Sequence, residues 1–307
     1  MSDRPEQRLR EHHCWEPTTD RHEFQWKARL LQSIWRERQG LPPAEYRGKL
    51  RGARIPMPQA QETLDGYLTP TIQEVVRREV EDPERAKGKL YGRPRIYNNL
   101  LSSQPLCFNL FGELTRDLSL ATAALSRMMA GRVHSVTAID FEYSPGRGEA
   151  RYTGDRSAFD VYIRYETPTG GNGFLGIEVK YHEGLDDPVA DHRPRYDELA
   201  EEMGCFLPEA RARLKERPLQ QIWRDHLLVG AHQLVDGFDD ACFVFLYPEG
   251  NTACERAVRQ YADCLSEHLS FQPWTLESLH GRLLEHSDAD WLRLFHERYL
   301  SFEKALG

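Results

Sequence analysis

Between residues 159 and 182 the side chains alternate in a way that leaves little freedom over how the chain folds there. Successive residues of a β-strand point to opposite faces, so the order of residue types dictates what each face carries. In residues 159–166 that period puts Phe159, Val161, Ile163 and Tyr165 on an apolar face and Asp160, Tyr162, Arg164 and Glu166 on the other. In residues 174–182 it separates Ile177, Val179 and Tyr181 from Glu178, Lys180 and His182. Residues 168–173 (PTGGNG) lie between, and Asn172-Gly173 tolerates the positive φ of a tight turn. The spacing predicts an antiparallel hairpin on which Asp160 and Glu178 converge, with the Lys180 ammonium two residues further along the same face.

Two carboxylates and an ammonium in that arrangement suit phosphate hydrolysis. Magnesium is a hard ion that takes one or two protein carboxylates and fills its remaining positions with water and phosphate oxygens. Asp160 and Glu178 would anchor it, polarising a scissile phosphate and acidifying a bound water. Lys180 would position that water or stabilise charge in the transition state. A Glu-x-Lys triplet arises about once by chance in a chain this long, so its weight rests on the Asp-bearing strand and turn before it. The string Gly171-Asn-Gly-Phe-Leu-Gly176 also matches G-x-G-x-x-G. It runs into a strand, whereas a dinucleotide site needs it to follow a strand and open a helix.

The 307 residues, 40% hydrophobic, suffice for one large domain or two small ones. No apolar run reaches the length of a membrane span, and the first residues are charged, which predicts a cytoplasmic protein. Six cysteines without a C-x-x-C pair signal neither structural zinc nor a disulfide framework, and His12-His13-Cys14 is not expected to ligate. The net charge of −8 disfavours nonspecific attraction to nucleic acid. Arg93, Arg95, Arg147, Arg151, Arg156, Arg193 and Arg195 nevertheless gather in loops around the hairpin. Arg151, Arg156 and His182 are the candidate substrate contacts.

Residues 1–95 read as a mostly helical region, with helices at 22–39 and 71–81 and a polar linker at 83–95. Residues 96–250 read as the core: a helix over 108–129, a strand at 133–143, the hairpin, a short helix at Pro194–Met203, a helix at 218–235 and a buried strand at 241–247. Residues 251–307 read as a helical extension, with helices at 252–268, 275–285 and 288–306 packed on the sheet.

That order, with Asp160 on the second strand and Glu178-Val-Lys180 on the third, resembles the PD-(D/E)XK nuclease superfamily. More narrowly, residues 99–111 (NLLSSQPLCFNLF), 152–160 (YTGDRSAFD), 176–183 (GIEVKYHE) and 219–227 (LQQIWRDHL) resemble an uncharacterised bacterial family of restriction-endonuclease-like proteins. The resemblance implies an α/β restriction-endonuclease-like core, a central mixed sheet flanked by helices, with additional N- and C-terminal helices. It also implies a magnesium-dependent deoxyribonuclease of restriction or anti-phage defence, with manganese able to substitute, acting on DNA and able to form a homodimer. RNA cleavage at the same site and an inactive nucleic-acid-binding scaffold are the alternatives. Asp160 and Glu178 take the metal-ligand roles and Lys180 that of the catalytic lysine. A further acidic ligand on the preceding helix corresponds to Glu113, with Asp117 its rival. A glutamine on the following helix corresponds to Gln220, which flanks the Leu219–Trp223–Leu227 face, whereas Gln221 points away from it. Asp155 competes with Asp160, although its Gly-Asp setting suggests a turn.

Overall fold

Strand pairing organises the molecule around the hairpin. The computed structural model describes residues 5–303. It contains a small hairpin, β1 (Ala44–Tyr46) with β2 (Lys49–Arg51), and a five-stranded sheet of β3 (Ser135–Tyr143), β4 (Phe159–Glu166), β5 (Asn172–Val179), β6 (Asp240–Tyr247) and β7 (Phe271–Thr275). Their spatial order equals their chain order. The first three run antiparallel, β3 and β4 joined by a long loop (144–158) and β4 and β5 by a short turn (167–171), and β5–β6 and β6–β7 are parallel. Parallel neighbours require crossover segments, supplied by helices Pro194–Met203 and Leu219–Asp236 before β6 and Thr252–Ala262 before β7. The expected order of helix, three strands, helix and strand is present, with one further strand.

Both faces of the sheet are covered. Val161, Ile163, Leu175, Ile177, Val179, Val244 and Leu246 share a core with Phe24, Trp35 and Ile72 of the N-terminal region, Leu106 and Phe108 of helix Ser103–Phe111, and Leu279, Trp291 and Phe295 of the C-terminal helices. On the opposite face Tyr162, Phe174, Phe243 and Phe245 pack with Tyr196, Ile222, Trp223, Leu227 and Tyr261. The second face of the hairpin is therefore apolar in the middle, at Tyr162 and Phe174, and polar at its two ends, with Asp160 and Glu178 at one and the exposed Arg164, Glu166 and Asn172 at the other. The glycines of the dinucleotide-like string serve this packing: a side chain on Gly173 or Gly176 would collide with the ring of Tyr165 or Phe159.

Three elements differ from expectation. The helix foreseen at 108–129 is two, Ser103–Phe111 and Leu118–Met128, separated by a 3₁₀ turn at Glu113–Thr115. Asp117 restarts it by accepting the Leu120 N–H at 2.9 Å, an N-cap that a count of apolar spacing cannot distinguish from a helix interior. The edge strand β7 lies between two expected helices; it is short and contains Pro273, which sheets tolerate at an edge. The β1–β2 hairpin lies in the N-terminal region expected to be mostly helical. Among the described residues, no helix is long and apolar enough to cross a membrane.

Helices Glu23–Arg38 and Asp290–Tyr299 are tied by the buried Arg298. Its guanidinium donates to Gln32 Oε1 (3.1 Å) and to the Gly66 carbonyl, and lies 4.2 Å from the Trp35 ring centroid. Gln32 in turn donates to Tyr181 Oη at 3.1 Å, fastening the residue next to Lys180.

His226, wholly buried on helix Leu219–Asp236, stacks on Phe243 and meets Tyr261 Oη at 2.9 Å. Burial lowers its pKa to about 3. The unfolded chain protonates this imidazole near its ordinary pKa of about 6.5 while the folded protein does not, so stability falls as pH drops from about 6.5 towards 3. Denaturant titrations at pH 6.5 and 5 should show the wild type losing about 1–2 kcal/mol more than His226→Phe over that interval. Equal losses would contradict the assignment.

Candidate active site

The register of β4 and β5 decides the geometry of the charged residues. Val161 pairs with Ile177 and Glu166 with Asn172; continued by one residue, this register sets Asp160 opposite Glu178. Asp160 Oδ2 accepts the Val179 N–H at 2.8 Å, so its carboxylate is held across the ladder. Glu178 Oε1 receives Lys180 Nζ at 2.8 Å and Gln221 Nε2 at 2.8 Å. Glu178 and Lys180 are 8% and 9% exposed, which removes most of the water that would otherwise screen them. Burial, and then the neighbouring Glu178, push the Asp160 pKa well above the usual carboxylate range. Burial opposes the charge on Lys180, but Glu178, Glu183 and Asp160 outweigh it and the ammonium is retained.

The turn after β5 is fastened from three directions. Lys180 N donates to the Leu246 carbonyl at 2.9 Å, extending the contact with β6. Asn251 Nδ2 donates to the carbonyls of Tyr181 (3.0 Å) and Glu183 (3.2 Å). The Glu183 carboxylate accepts the Tyr181 N–H at 2.9 Å and the Ser103 N–H at 3.2 Å. Ser103 opens helix Ser103–Phe111, whose positive end favours an anion. Burial alone would raise Glu183; His182, Lys180 and the Tyr181 amide outweigh it and hold the pKa at about 2.

Helix Leu219–Asp236 forms the opposite wall. Gln221 binds Glu178, and one turn on, Asp225 is buried with its Oδ2 lacking a hydrogen-bond partner among the described residues. Burial and the Glu178 charge raise the Asp225 pKa well above the ordinary range. Glu178, Gln221, Arg224, Asp225, Arg156 and Arg217 line a cavity of about 370 Å³.

The structure brings together Asp160, Glu178 and Lys180, with Arg156 and Gln220 on the cavity wall, and places Glu113, Arg151 and His182 elsewhere. Gln220 exchanges two hydrogen bonds with the Ala190 backbone, both 2.7 Å, and so anchors the loop over the cavity rather than touching Glu178. Gln221 takes that contact because the helix presents its edge, not the centre of its apolar face, to the end of β5. Its spacing of four from Asp225 was the available signal, since both lie on one helical face. Glu113 is not delivered to the hairpin. It lies beyond the far end of the helix whose first residue meets Glu183, and its carboxylate accepts the Thr69 hydroxyl. Its rival Asp117 is the helix cap. Arg151 is exposed, paired with Glu149 at 2.8 Å, and does not line the cavity. His182 turns to a separate cleft, with Nδ1 3.6 Å from Glu183 Oε2. Arg147 and Arg195 are engaged by Glu142 and Glu202.

Asp155 is a structural hub. It accepts hydrogen bonds from Tyr196 Oη (2.6 Å), Arg224 Nη2 (2.7 Å), Thr153 Oγ1 (2.8 Å) and Ser157 N (2.9 Å). Burial works against its charge, but Arg224 with these donors holds its pKa far below the usual range. The hub joins the loop before β4 to the helix that carries Gln221.

Among the described residues, no three His, Cys, Asp or Glu side chains cluster closely enough to hold an ion unaided. The Asp160–Glu178 pair suits a hard divalent ion that keeps several water or phosphate ligands. Charge points the same way: Asp160, Glu178 and Asp225 are set against the Lys180 ammonium and the Arg224 guanidinium, which is itself bound to Asp155, and one Asp225 oxygen is unsatisfied among the described residues.

A sequence profile of the PD-(D/E)XK nuclease superfamily matches residues 18–301. The chain belongs to the PD-(D/E)XK nuclease superfamily. No curated protein and no solved structure matches it. The superfamily match runs from the N-terminal helices through the sheet to the last helix, so it covers every element that supports Tyr181 and Lys180.

Asp155→Ala should cost about 3–5 kcal/mol in a denaturant melt, because it strands the Arg224 guanidinium in a largely buried setting. Asp155→Ala combined with Arg224→Met should recover part of that loss, whereas additive losses would remove the hub from the account.

Proposed function

We propose that this nuclease is a metal-dependent endonuclease hydrolysing phosphodiester bonds of DNA, in bacterial restriction or anti-phage defence. The observation that supports it is the placement of Asp160 opposite Glu178, with the Lys180 ammonium on the same Glu178 oxygen. Asp160 and Glu178 would hold magnesium, or manganese in its place, which supplies polarisation of the scissile phosphate and a more acidic bound water. Lys180, kept protonated by the carboxylates around it, stabilises negative charge gathering on the phosphate oxygens. Gln221 orients the Glu178 carboxylate, as outer-sphere partners of ligating groups do. Arg156 and Arg217, on the cavity rim, would bind the strand through its phosphates. The hub at Asp155 holds the Arg156 loop against helix Leu219–Asp236.

Purified protein should cut plasmid, linear or single-stranded DNA only when magnesium or manganese is added, with RNA run in parallel. Glu178→Ala and Lys180→Ala should each lower the cleavage rate by on the order of 10²–10³ or more. Gln221→Ala should lower it by about 10–100-fold, and Gln220→Ala by less. Cleavage surviving both Glu178→Ala and Lys180→Ala would overturn the assignment, and cleavage of RNA alone would transfer it to that substrate.

A further inference from the structure

We infer that a second cleft, on the N-terminal side of Lys180, grips the phosphate backbone and a base of the same nucleic-acid strand a few nucleotides from the scissile bond. This rests on the nuclease reading and extends it to the N-terminal region. The cleft has a volume of about 610 Å³ and is bounded by Arg29, Arg51, Arg54, Tyr46, Asn98 and His182.

Its charged groups are unequally matched. Arg29 is bound bidentately by Asp20 (2.7 and 2.9 Å), and Arg51 pairs with Glu16. Arg54 is half-buried beside both, and among the described residues its guanidinium makes no hydrogen bond or ion pair. Burial, and then the like charges of Arg29 and Arg51, disfavour its charge, a situation that an incoming anion would relieve. Glu45 is the other carboxylate on the wall, and its side chain is exposed to solvent. One further polar group on the cleft wall is unmatched: Asn98 is only 8% exposed, and its Oδ1 has no hydrogen-bond partner among the described residues.

A phosphodiester supplies acceptor oxygens for a guanidinium fork, and a nucleobase supplies amino donors for an amide oxygen. The cleft also carries a stacking surface: Tyr46, 56% exposed on the β1–β2 hairpin, with the Arg47 guanidinium 5.2 Å from its ring centroid. Unpaired arginine, buried amide and open aromatic ring together describe a nucleotide subsite.

Continuity with the catalytic residues makes the occupant a strand rather than a free nucleotide. Glu178 lines the first cavity and His182 the second. The four residue-to-residue steps from Glu178 to His182 can span at most about 14 Å, and Lys180 is the midpoint. A strand whose scissile phosphate meets Lys180 thus has a cavity within reach on either side.

The test is equilibrium binding of fluorescent DNA oligonucleotides with magnesium withheld, so that nothing is cut. For an oligonucleotide long enough to span both cavities, Arg54→Ala should weaken binding about tenfold and reduce the slope of log K against log salt by about 1. Arg54→Lys should keep the slope and recover only part of the affinity. Tyr46→Ala, at an exposed position, should weaken binding about fivefold or more and gives a second reading should Arg54→Ala fail to fold by its melting curve. Oligonucleotide affinity unchanged in folded Arg54→Ala, or in Tyr46→Ala, would overturn the inference. So would Arg54-dependent binding of inorganic phosphate or a mononucleotide without any effect on the oligonucleotide. Arg54-dependent oligonucleotide binding by a wild type that cuts nothing would sustain the cleft while refuting the nuclease. Cleavage indifferent to Arg54 would do the reverse.

Discussion

Two carboxylates facing each other across an antiparallel pair repel, and the β4–β5 register forces Asp160 and Glu178 into that relation inside a largely dry setting. Much of the surrounding architecture answers this constraint. Lys180 and Gln221 bring a charge and an amide to one Glu178 oxygen, and the Val179 amide holds Asp160. The remaining excess of negative charge, with Asp225 added, is what a divalent cation would neutralise.

The regions outside the core reach this site chiefly through Tyr181. Tyr181 is wholly buried between Lys180 and His182, its hydroxyl held by Gln32 and its carbonyl by Asn251. Gln32 is itself bound by Arg298 and by the Arg298 carbonyl. An N-terminal helix, the helix after β6 and the last helix therefore all position the turn that carries Lys180. The shared hydrophobic core joins the same regions to the sheet.

Legibility in the sequence followed how local the determining interaction was. Strand alternation is a property of a few consecutive residues, and it placed Asp160, Glu178 and Lys180 on one face. Helices Pro194–Met203 and Leu219–Asp236 were legible within a residue for the same reason. The choice of Gln221 over Gln220 was not, because it depends on how the helix rotates against the end of β5. The polar reading of the second hairpin face failed similarly: Tyr162 and Phe174 are buried by a helix some fifty residues or more downstream. Glu113 lies beside the Leu110–Leu114–Leu118 face of the expected helix, but the Asp117 cap breaks that helix and leaves the Glu113 carboxylate with Thr69.

By itself the sequence determined a turn-linked pair of strands with two carboxylates and an ammonium on one face, because a period of two is set by backbone geometry alone. Only the tertiary structure decided which side chains complete the group. Gln221 and Asp225 come from helix Leu219–Asp236, some forty residues after the hairpin, and Arg54 and Asn98 come from a region with no sequence proximity to the hairpin. Such groupings depend on how separate elements pack, and packing is a long-range outcome that no local period encodes.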